Sequence, residues 1–115
     1  MHTDEEFAEL SFAERQAISR STLQTLMARA DGAILLGTFD KRADRHLSWL
    51  AMDLDEDGWK EIADLQAETL QRAIGVKAAA IARKQERAEQ GKKTKTFPAT
   101  FGALAFESPP VPEED

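Results

Sequence analysis

The sequence predicts an α+β domain in which two long amphipathic helices accompany a two-stranded antiparallel sheet, with strands at about 45–54 and 98–107. Three observations predict it. Apolar residues recur at helical spacing in two long stretches, one ending before Gly37 and one starting after Asp55. Between them, Arg45 to Leu54 takes an extended pattern. After Gly91, the run PATFGALAFE has the composition of a second strand.

Taken in order, residues 3–9 suit one short acidic helical turn. Ser11, Phe12, Ala13 and Glu14 then form the S-x-x-E pattern of a capping box, in which the serine hydroxyl and the glutamate carboxylate each satisfy a backbone N–H of the first turn. The helix that follows aligns Phe12, Leu23, Leu26, Met27, Ala30 and Ile34 on one face, with Gln16 and Ser19 interrupting it early. Gly37 is its expected C-terminal stop. The second long helix starts near Asp55 and runs to about Gln90. Trp59, Ile62, Ala63, Leu70, Ala73, Ile74, Ala80 and Ile81 form its broad stripe, with Gln66 and Lys77 as polar interruptions. Gly75 is tolerated inside it at about 1 kcal/mol relative to alanine, and Gly91 ends it.

In the segment 45–54, Leu47, Trp49 and Ala51 fall on one side and His46, Ser48, Leu50 and Met52 on the other. A strand leaves backbone donors and acceptors unpaired unless a neighbour takes them, so 45–54 and 98–107 are expected to pair antiparallel. Residues 1–108 read as one domain, and 109–115 as a disordered tail.

The chain has 115 residues, enough for one modest core. Its 42% apolar and 31% charged residues place it among globular rather than disordered sequences. With no cysteine, disulfides, thiolate metal sites and cysteine nucleophiles are excluded. The acidic start lacks the order of a signal peptide and no apolar run is long enough for a membrane span, so the expected location is cytoplasmic. A net charge of −6 argues against direct DNA binding, because affinity for nucleic acid rests largely on phosphate neutralisation. The basic residues from Arg83 to Lys95 are read as a solvated helix end complementing the helix dipole.

Few residues carry chemistry. Asp53, Asp55, Asp57 and Gly58 spell the opening of a calcium loop, and Asp64 stands where that loop has a bidentate glutamate. The plainer reading is that Asp55 caps a helix while Glu56 and Asp57 complement its dipole. His46 shares a face with Ser48, but no nucleophile elbow and no convergent ligand set accompanies it. No cofactor and no enzymatic activity are expected. Trp49 and Trp59 are the large aromatic anchors. With Leu50, Met52, Ile62 and Leu70 they are the residues expected to form a ligand pocket or a subunit interface. Two helices and two strands make a thin core, which favours a homodimer.

The run GTFDKRADRHLSWLAMDLDEDGW, the long helix after it, the segment FPATFGALAFESPP and the earlier SRSTLQTLMARA together resemble the C-terminal half of actinobacterial winged-helix regulators of ArsR-like type. The likeness spans about residues 4–110. It implies a role in transcription regulation, with a winged-helix regulator as a further expected partner. The family's N-terminal DNA reader has no room in this chain, so the resemblance implies the effector and dimerisation half alone. The expected function is a non-enzymatic regulatory domain that dimerises and senses a small molecule. The alternative is a stand-alone interaction module that sequesters full-length regulators, with calcium binding at the aspartates behind it.

Overall fold

A computed structural model of the chain describes residues 4–110. Among the described residues the regular secondary structure consists of helices: α1 (Asp4–Ala8), α2 (Phe12–Leu35) and α3 (Glu56–Glu89), with 36–55 and 90–110 irregular. The tertiary contacts divide the chain into two units, Met1–Trp49 and Leu50–Asp115. The expected tail at 109–115 and His2 fall wholly or mostly outside the described residues.

In the first unit α1 closes with Leu10 N–H donating to the Phe7 carbonyl at 3.2 Å. The capping box then forms as its sequence predicts. Ser11 has an extended backbone, its Oγ accepts from Glu14 N–H at 3.2 Å, and Glu14 Oε1 accepts from Ser11 N–H at 3.4 Å. Two donors of the first turn that no helical carbonyl could reach are thereby satisfied. At the other end Gly37 adopts φ 77°, a left-handed conformation that costs glycine nothing. Gly37 N–H donates to Ile34 O and Thr38 N–H to Ala33 O, which is the Schellman pattern. The turn beyond is tied by Arg45 Nε to Asp40 Oδ1 at 2.7 Å, and the same guanidinium lies 5.7 Å from the centroid of the half-buried Phe39 ring.

The second unit repeats this plan. Asp55 is the extended N-cap of α3, its Oδ1 accepting from Gly58 N–H at 2.8 Å, with Glu56 and Asp57 in the first turn. At the C-terminus Gly91, at φ 74°, supports a second Schellman motif, in which Lys92 N–H reaches Arg87 O at 2.8 Å. With 34 residues, α3 is about 51 Å long.

The expected sheet is absent, which corrects the α+β reading. No strand occurs among the described residues, and no backbone hydrogen bond joins 45–54 to 98–107. Topology supplies a reason. Antiparallel pairing would set Leu54, at the start of α3, beside Pro98, just past its end. The helix is about 51 Å long and the chain from 90 to 98 reaches at most about 30 Å, so the two cannot meet. A lone strand pair is in any case marginal in water.

A second finding concerns burial. Among the described residues no side chain is fully buried. Large apolar groups remain open along both long helices and both segments expected as strands, including Phe12, Trp49, Ile81 and Phe106.

Candidate functional site

The residues expected to act together distribute unevenly. Trp49 closes the first unit and is 88% exposed. Leu50 and Met52 open the second unit, on the irregular segment leading to α3, and both are exposed. Trp59, Ile62 and Leu70 are the three that the structure places on one face, since steps of three, four and eight residues return to the same side of a helix. Trp59 is 38% and Leu70 37% exposed, while Ile62 is half-buried. Gln66 and Ala73 lie on the same line and are half-buried too. The central feature of the second unit is therefore a one-sided stripe along α3.

The start of that stripe is set by local chemistry. A Cβ added to Gly58 would stand 3.0 Å from Asp55 Oδ1 and 3.2 Å from Leu54 Cδ2. Glycine at this position lets the aspartate fold tightly over the first turn. The same bond is the helix cap that the plainer reading of Asp55 expects. Asp57 and Asp64 lie two turns apart on α3, and no three metal-ligating side chains gather among the described residues.

His46 Nε2 and Ser48 Oγ are 2.8 Å apart, the contact their shared face suggests. Both are exposed, and among the described residues no carboxylate is hydrogen-bonded to the imidazole. A serine–histidine pair needs an orienting acid and a dry oxyanion site to act as a nucleophile. Neither accompanies this pair.

No family model matches the chain, and comparison with curated proteins and with solved structures found no match. Function has to be read from the residues.

One feature escaped the sequence reading. An open hollow of about 450 Å³ lies on the first unit, lined by Phe7, Phe12, Arg15, Ser19 and Leu23 among others. The Arg15 guanidinium stands 6.0 Å from the Phe12 ring centroid, and its shielded Nε makes no hydrogen bond. The signal was available: Gln16 and Ser19 interrupt the apolar face of α2 just where the hollow opens. A wide hollow with so few polar anchors grips a small molecule weakly.

Proposed function

We propose that this chain is a non-enzymatic regulatory domain whose principal act is self-association, and that it works in the cytoplasm as part of transcription control. The observation that carries the reading is the absence of any fully buried side chain among the described residues. A protein of 12.8 kDa folded alone exposes about 6,300 Å². This chain exposes 11127 Å². An obligate dimer covers roughly 2,000–5,000 Å² or more counted over both copies, so pairing removes part of this exposed surface from water. Apolar stripes of this extent gain free energy only when a partner removes them from water.

Small-molecule sensing is the weaker half of the reading. The hollow on α2 is open and none of the six expected residues lines it. The tie to transcription rests on the resemblance of residues 37–59 and 97–110 to winged-helix regulators. Among the described residues no helix is long and apolar enough to cross a membrane.

Light scattering on the purified chain, from low to high micromolar concentration, tests the proposal. A mass of two or more copies, with helical circular dichroism that fades on dilution, is the expected result. A helical monomer with sharp thermal unfolding at every concentration would refute it.

A further inference from the structure

We propose that α3 pairs with α3 of a second copy, antiparallel, about a two-fold axis crossing the helix between Gln71 and Arg72. This rests on the self-association reading and specifies its surface and its partner. Two independent properties of the helix carry it.

The first is the symmetry of the stripe. Under that two-fold, every stripe residue except Trp59 and Ile74 meets another stripe residue, and Ile74 falls opposite Thr69. Ile62 falls opposite Ile81, Ala63 opposite Ala80, and Leu70 opposite Ala73. The two polar interruptions, Gln66 and Lys77, fall opposite each other. There the glutamine oxygen is placed to accept from the lysine ammonium, where an apolar neighbour would leave both unsatisfied. At the rim Trp59 meets Lys84, a pairing of indole face and cation. A parallel arrangement would set Lys77 against Lys77 and Lys84 against Lys84, like charges side by side.

The second is charge. Residues 56–71 carry five carboxylates against one lysine, and residues 72–89 carry five cations against two carboxylates. Only the antiparallel arrangement lays the acidic half of one copy along the basic half of the other, with Glu56 opposite Arg87. A surface complementary to itself in both shape class and charge selects a second copy over an unrelated partner. The exposed apolar side chains of α3, Trp59, Leu70, Ile74 and Ile81, are what such a pair would remove from water.

The chain has no cysteine, so single cysteines report the geometry directly. Full-length Ala63→Cys, Ala80→Cys and Ala73→Cys would be treated with a short bis-maleimide, with light scattering and circular dichroism on each. The expected result is a crosslink between mixed Ala63→Cys and Ala80→Cys chains, self-crosslinking of Ala73→Cys, and at least tenfold less self-crosslinking of Ala63→Cys. In the antiparallel pair the two 63 positions are about 26 Å apart along the axis. Efficient self-crosslinking at 63 would mean a parallel pair and overturn the proposal. Dimers that crosslink at none of the three positions would overturn it while leaving self-association standing. Monomers at every concentration would overturn both. Zero-length carbodiimide coupling of the unmodified chain gives a reading free of any folding defect: carboxylates of 56–68 should join Lys77 and Lys84 of another copy. Intermolecular crosslinks confined to other regions would count against the pairing.

Discussion

α2 begins at Ser11 and stops at Gly37; α3 begins at Asp55 and stops at Gly91. The end chemistry is the same in kind: an oxygen-bearing N-cap in extended conformation, and a left-handed glycine carrying a Schellman pair. The interiors differ. α2 scatters its charges and breaks its apolar face with Gln16 and Ser19. α3 divides its charges into an acidic and a basic half and keeps a longer, more one-sided stripe. Caps and stops decide where a helix lies, and the pattern between them decides what it can meet. If that is correct, equivalent changes at the ends of the two helices should have equal effects, and equivalent changes in their interiors should not.

The largest expected contrast is between Trp59→Ala and Phe12→Ala. Trp59 is already more than half covered within one chain, and pairing through α3 would complete its burial. Its loss should cost about 3–5 kcal/mol of assembly stability in urea melts at fixed protein concentration. Phe12 is 67% exposed, and its replacement should stay within about 0.5 kcal/mol. Equal costs for the two would break the comparison.

Next come the stops. Gly37→Ala and Gly91→Ala force a side chain into left-handed backbone and should each cost about 1–2 kcal/mol. Nothing lies within 4 Å of either position, so strain alone sets the effect and the two values should agree. The caps follow. Ser11→Ala and Asp55→Ala should each cost about 1 kcal/mol, read as lower midpoints in thermal denaturation. A much larger loss for Asp55→Ala would point to a role beyond capping. The smallest effect has the opposite sign. Gly32→Ala and Gly75→Ala meet open space on ordinary helical backbone, so each should stabilise by about 0.5–1 kcal/mol. Gly75 lies off the α3 stripe, so its replacement should leave the oligomeric mass unchanged.

The legibility of the sequence follows the same division. The ends of both helices could be read because capping is local: S-x-x-E, Asp55 before the stripe, and a glycine after each stripe are signals a few residues wide. The stripe of Trp59, Ile62 and Leu70 could be read because helical period is local too. The sheet could not. Alternation in 45–54 and the aromatic composition of 98–107 report a preference for extended backbone but not the identity of a pairing partner, and neither segment forms a strand. Size and apolarity alone group Trp49 and Leu50 with Trp59, and the boundary between the two units falls between Trp49 and Leu50.

The charge division of α3 has a consequence for time rather than for structure. The backbone of any helix carries partial positive charge at its N-terminus and partial negative charge at its C-terminus, roughly half a unit each. In α3 the side chains run the other way, with several units of opposite sign at each end, so the net dipole of the helix is inverted. Two such rods drifting together feel a torque that turns them head to tail before any side chain touches. The torque reaches about 8 Å at physiological ionic strength and far less in molar salt. Salt should therefore slow the meeting of two copies much more than it hastens their parting.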